Sequence, residues 1–130
     1  MVIPGILPDR GGAITPDPEP DIPTTYNITI TGANSYAYAE INGTTYNTNT
    51  SQNLSLNKDT EIKITIISKI GIFGSDGEPY VKLNGTKVLS KAGTYTLIVN
   101  NNYTIVCGSW TNDYDGEANT TYGYCDITSS

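Results

Sequence analysis

The 130-residue chain contains no histidine. The side chain best suited to proton transfer near neutral pH, and the commonest transition-metal ligand, is therefore missing. A nucleophilic triad built on Ser or Cys with His cannot be assembled. Two carboxylates across a cleft would suffice for glycoside hydrolysis. The acids here fall mostly in turn-like segments, and so small a body offers little cleft. A non-enzymatic protein is expected, with no catalytic residues and no cofactor. The run Asp113-Tyr114-Asp115-Gly116-Glu117 sets acids at alternate positions, and hard oxygen ligands so spaced can wrap calcium. An EF-hand loop would need glycine at its sixth position and glutamate at its twelfth. Ala118 and Tyr124 stand there instead. A hydrated acidic turn is the plainer reading, so no metal is expected, and Asp113, Tyr114, Asp115 and Glu117 are candidates for an outer surface.

Cys107 and Cys125 are the two cysteines. Each falls in an alternating segment near the C-terminus, and Cys107 shares a face with Tyr103 and Ile105. If the two segments pair, a disulfide could close the acidic loop at its base. Two buried, reduced thiols are the alternative in a reducing cytosol. Ten tyrosines stand against a single phenylalanine. Most of these suit strand positions with the hydroxyl in water. Tyr114, Tyr122 and Tyr124, beside the acidic loop, are the better binding candidates, because exposed tyrosine supplies contact area at small entropic cost.

The elements that position these residues are strands. Tyr26, Ile28 and Ile30 alternate with Asn27, Thr29 and Thr31, the period-2 pattern of a half-buried strand. Segments 35–41 and 44–49 flank Asn42-Gly43, and segments 80–83 and 86–89 flank Asn84-Gly85. Asn-Gly accepts positive φ at both central positions, as a two-residue type I′ hairpin requires. Further strands are expected at 61–68, 95–99, 103–110 and 121–127, with a Gly- and Pro-broken loop over 71–79. The expected core is Ile28, Ile30, Ile62, Ile64, Ile66, Val81, Leu83, Leu97, Val99 and Ile105. Ile67 and Ile98 point the other way. No segment shows a helical stripe. About eight short strands at close spacing indicate a sandwich or barrel. An all-β fold is expected, a single immunoglobulin-like β-sandwich over residues 26–130. The Cys-Trp-Cys spacing of antibody domains is missing, so the likeness is one of architecture.

Residues 1–25 differ in kind. They hold six of the seven prolines and no apolar period. Proline fixes φ and removes a donor, so this stretch forms neither helix nor central strand. An extended Pro/Gly-rich arm is expected. Its first seven residues are mostly apolar, which marks a docking segment, with Val2, Ile3, Pro4, Ile6, Leu7 and Arg10 as candidate partner contacts. The net charge of −6 with a single arginine argues against nucleic acid. No apolar run approaches the roughly 20 residues that span a bilayer, so no membrane is expected. Basic residues and an uninterrupted apolar run are both missing from the N-terminus, so no signal peptide is expected. Seven Asn-x-Ser/Thr triplets, from Asn27 to Asn119, arise readily in an Asn- and Thr-rich strand protein.

The order YNITITG, SLNKDTEIKITIIS, YVKLNGTKV and GTYTLIVNNNYTIV resembles the small immunoglobulin-like modules of bacteriophage particles and, more weakly, of bacterial adhesins. It covers residues 26 to about 110. A single module behind a proline-rich arm is similar in plan to capsid-decorating and head-fibre proteins. The resemblance implies a virion protein assembled in the host cytoplasm, holding other virion proteins, above all the major capsid protein, through its arm. Self-association is a further partnership. A carbohydrate- or host-surface-binding adhesin module is one alternative, and a phage tail or connector component is another.

Overall fold

The computed structural model describes residues 24–69, 78–112 and 120–130. The expected arm, except Thr24 and Thr25, lies outside the described residues, as do Asp113, Tyr114, Asp115 and Glu117. Among the described residues the protein is all-β, with no helix. Eleven strands run in chain order: β1 (Thr25–Thr31), β2 (Ala37–Ile41), β3 (Thr44–Tyr46), β4 (Gln52–Asn57), β5 (Glu61–Ile66), β6 (Ser68–Lys69), β7 (Tyr80–Leu83), β8 (Thr86–Leu89), β9 (Gly93–Ile98), β10 (Tyr103–Asn112) and β11 (Thr120–Ser129). They form two sheets. The larger has the order β4-β1-β10-β11-β7-β8, with β6 also paired to β11, and the smaller is β3-β2-β5-β9. β1 runs parallel to β10 and β7 parallel to β11; every other pair is antiparallel.

The apolar alternation sets the layers. Ile28, Ile30, Ile105 and Ile127 from the larger sheet meet Ile62, Ile64 and Ile66 from the smaller, each at most 1% exposed. A slip of one residue would bury threonine and lysine instead, so the register of β5 is strongly specified. Of the expected core only Leu83 departs, being half-buried against it. Its strand pairs onward to the edge strand β8, where the packing opens. Both Asn-Gly pairs close two-residue hairpins. Asn42 and Gly43 have φ of 51° and 82°, Asn84 and Gly85 of 51° and 86°, and Ile41 opposes Thr44 as Leu83 opposes Thr86. Those two glycines meet nothing within 4 Å, so their role is conformational.

One corner joins the sheets. β5 belongs to the smaller sheet and β6 to the larger, and Ile67 lies between them. Its N–H donates to the Tyr36 carbonyl (2.8 Å), and its carbonyl accepts from the Gly123 N–H (3.0 Å). Strands that switch sheets in this way form the corners of packed sheets. The β1–β2 crossing is held by Asn34. Its side-chain oxygen accepts from the Tyr36 and Ala37 N–H groups, and its amide donates to the Gly32 carbonyl (3.0 Å). Strand β4 is an element that the sequence reading did not assign. Its Asn and Ser residues are disfavoured in strands, but Leu54 and Leu56 alternate inward against the core.

Candidate functional site

On strand β11, Cys125 and Ile127 point into the core, while Tyr122, Tyr124 and Asp126 fall on the opposite face of the larger sheet, where Tyr122 is itself buried, 7% exposed. Pairing carries this outer face across three further strands. Trp110 on β10 stands directly opposite Tyr122, ring centroids 4.6 Å apart and tilted by 36°. Such tilted and offset pairs contribute about 0.5–1.5 kcal/mol beyond the area they bury. Gly108 stands opposite Tyr124, and a Cβ at Gly108 would overlap the Tyr124 ring. The ring therefore lies over bare backbone that any other residue would fill.

On its other side Tyr124 neighbours Tyr80 of β7, centroids 5.6 Å apart and stacked at 28°. The ammonium nitrogens of Lys82 and Lys87 lie 5.1 and 5.3 Å from the centroid of Tyr80, within reach of its negative ring face. Burial raises the phenol pKa of Tyr80 above its ordinary 10, and the nearby Asp126 and Tyr124 push the same way. Tyr80 thus remains a neutral hydroxyl, able to donate, across the physiological range.

Asp126 completes the patch, in register with Val106 on one side and Lys82 on the other. Its Oδ1 is closed to solvent and has no hydrogen-bond partner among the described residues. A buried acceptor left without a donor costs about 1–3 kcal/mol.

Beneath this face Cys107 and Cys125 oppose each other in register and are joined by a disulfide, Cα atoms 4.2 Å apart. The bridge links the middles of β10 and β11 on the core side, where the residues are 4% and 0% exposed. Tyr103, at the start of β10, is buried and donates its hydroxyl to Asn100 Oδ1 (2.6 Å). Burial raises its phenol pKa as well, helped by Tyr95 and Tyr26.

The two ends of the larger sheet are distinct. Residue 24, where the described chain begins, leaves beside Lys58, whose N–H donates to the Thr24 carbonyl (2.7 Å). β1 and β10 run parallel from that end, and β10 continues to Asn112, opposite Thr120. Ten residues at about 3.4 Å each set Asn112 roughly 30 Å from Tyr103, which lies toward the end of the sheet where β1 begins. The C-terminus returns to the end where β1 begins, with Ser129 paired to Tyr103.

Elsewhere, a shallow groove of about 390 Å³ is lined by Glu40, Asp59, Glu61 and Lys63 at the Asn42-Gly43 turn. Glu40 and Lys63 stand opposite each other across β2 and β5, an arrangement that favours sheet pairing. Among the described residues no three His, Cys, Asp or Glu side chains gather as metal ligands. Of the sequence candidates, Tyr122 and Tyr124 join the aromatic face. Trp110, Tyr80, Lys82, Lys87 and Asp126 were not foreseen, because the long-range β7–β11 and β10–β11 pairings bring them together. Compared with known proteins, the chain matches no protein-family model, no curated protein sequence and no solved structure.

Proposed function

We propose that the chain is a non-enzymatic structural protein of a bacteriophage particle, decorating the capsid through residues 1–25 and projecting an immunoglobulin-like β-sandwich outward. The observation that carries this reading is the division of the chain. A proline-rich, apolar-tipped segment precedes a disulfide-bridged sandwich whose first strand starts at Thr25. The segment joins at one end of the larger sheet, and the acidic connection of residues 113–119 leaves from the other. Held at the first end, the domain would present acidic loop residues to the medium, where like charge keeps neighbouring copies apart. Immunoglobulin-like here means two packed sheets, since two parallel strand pairs depart from the antiparallel sheets of antibody domains.

The test is to add purified chain to capsids of its phage that lack it. Saturable attachment that a peptide of residues 1–25 displaces supports the proposal, and no attachment overturns it. A second reading, a module that binds a host surface or its carbohydrate, is favoured by the aromatic outer face of the larger sheet. The two readings are compatible on one molecule, since one uses the arm and the other the sandwich.

A further inference from the structure

We propose that the open edge of β4 pairs antiparallel with the same strand of a second copy, joining two larger sheets across a two-fold axis centred on Ser55. The proposal goes beyond the two readings above and does not rest on either.

A free sheet edge offers unpaired N–H and carbonyl groups to any other strand, and proteins blunt such edges with charge, proline, bulges or short length. Three edges of this sandwich are shielded. β3 is three residues long. β8 pairs through a bulge and carries Lys87. β9 is uncharged, but it starts against β8, where a Cβ at Gly93 would lie 3.6 Å from Leu89 Cδ1. β4 has no such device. It pairs with β1 without a bulge from Gln52 to Asn57, and no charged residue stands between Glu40 and Lys58. Among the described residues its other side has no partner strand.

Two hydrogen bonds fix which groups face that open side. The Asn27 N–H donates to Asn102 Oδ1 (2.9 Å), on the β10 side, and the Lys58 N–H donates to the Thr24 carbonyl (2.7 Å). Bonded and non-bonded pairs alternate along an antiparallel ladder. Leu54 and Leu56 therefore bond to β1, while Asn53, Ser55 and Asn57 turn their N–H and carbonyl groups to the open edge. The Asn53 side chain lies back over β1, accepting from the Thr29 hydroxyl (3.0 Å), and leaves that edge clear.

The sequence of the strand names the occupant. Residues 53–57 read Asn-Leu-Ser-Leu-Asn in either direction. Antiparallel pairing about Ser55 sets Ser55 opposite its own copy and Asn53 opposite Asn57, all with outward-facing backbone groups. Leu54 meets Leu56 on the core side, where each is only half-buried in one copy. Lys58 meets Gln52, so no like charges oppose each other across the axis, although each chain carries a net −6. A two-fold contact requires such self-complementarity. Residues 1–25 are a poorer occupant, since their six prolines lack the donors that a ladder uses. One added strand pair buries less than a standard interface, so the dimer is weak and forms in concentrated chain.

The experiment is sedimentation equilibrium of the full, oxidised chain from about 10 µM to about 1 mM. The expected result is a reversible monomer–dimer equilibrium. Ser55→Lys should weaken it about tenfold or more, because two like charges then stand opposite each other at the axis. Ser55 is exposed, so the dilute variant should melt close to the parent. Thr94→Lys, on the β9 edge, should dimerise normally. Under mild oxidation Ser55→Cys should form a covalent dimer, since directly opposed strand residues lie within disulfide reach. Asn53→Cys, which faces Asn57, should not.

A chain that stays monomeric throughout overturns the proposal, as does a dimer that Ser55→Lys leaves intact or Thr94→Lys abolishes. Association that grows beyond two copies, or equal cross-linking of Ser55→Cys and Asn53→Cys, removes the two-fold register and the proposal with it. Dimerisation that appears only after residues 1–20 are deleted gives the edge to the arm instead, and overturns it as well.

Discussion

Truncating Ile64 and Ile67 to alanine separates the two faces of one strand and its exit. Ile64 lies in the middle of β5, opposite Ala39 on β2 and Tyr95 on β9, and is 0% exposed. Ile64→Ala removes three carbons. At about 0.8 kcal/mol per buried methylene-sized group, the lost transfer energy is about 2.4 kcal/mol. The flanking strands hold the site open, so a cavity term adds to this and the total should reach about 3–4 kcal/mol, within the range of such truncations. Ile67 sits at the corner with 37% of its surface exposed. Solvent can occupy the space it leaves, so Ile67→Ala should cost only about 1 kcal/mol. Its backbone hydrogen bonds to Tyr36 and Gly123 survive the change. Urea unfolding of the oxidised chain, followed by circular dichroism, measures both. The midpoint should drop strongly for Ile64→Ala and slightly for Ile67→Ala at constant slope. Equal losses would refute the inward and outward assignment of β5 and the sandwich built on it.

Other expected outcomes follow from single contacts. Replacing Cys107 and Cys125 by alanine frees an 18-residue separation, which should lower stability by about 3 kcal/mol; an unchanged melting temperature on reduction would show that the bridge does not constrain the chain. Gly123→Ala drives a Cβ into the Tyr36 backbone carbonyl, whereas Gly108→Ala meets only the Tyr124 ring, which can swing away. The first should therefore be far more destabilising in a thermal melt, and the reverse order would contradict the close approach of β11 to the corner. Tyr80 and Tyr103 have raised phenol pKa values in the folded state. The folded state then holds protons that the unfolded state releases near pH 10, so this stability is complete below pH 10 and is lost as pH rises through the folded values. Melting temperature should fall more steeply above pH 10 in the parent than in Tyr80→Phe with Tyr103→Phe; parallel curves would show the phenols to be unperturbed.

Local signals were legible in the sequence, and long-range ones were not. Asn42-Gly43 and Asn84-Gly85 announced their hairpins because the turn chemistry is contained in two residues. The isoleucines of β1 and β5 announced the core because alternation is a property of one segment. β4 was missed although Leu54 and Leu56 alternate, because Asn and Ser around them resemble loop. The corner at Ile67 depends on backbone contacts from Tyr36 and Gly123, which no local pattern encodes. The same limit hid most of the aromatic face. Tyr122 and Tyr124 stood out by composition, but Tyr80, Lys82 and Asp126 meet only through a parallel pairing of segments more than 40 residues apart. Ala37 and Ala39, both fully buried, were overlooked because alanine carries little hydrophobic signal.

Deleting residues 1–20 tests the central claim most directly. The cut ends before β1 and removes none of its pairing with β4 or β10, so the domain should melt as the parent does. Phage particles purified on a density gradient from cells making either form should then be probed for the chain. Attachment through the arm predicts that the parent bands with the particles and the truncated form stays entirely in the soluble fractions. A truncated chain that still bands with the particles at the parent's occupancy, or a parent that never bands with them, would contradict it.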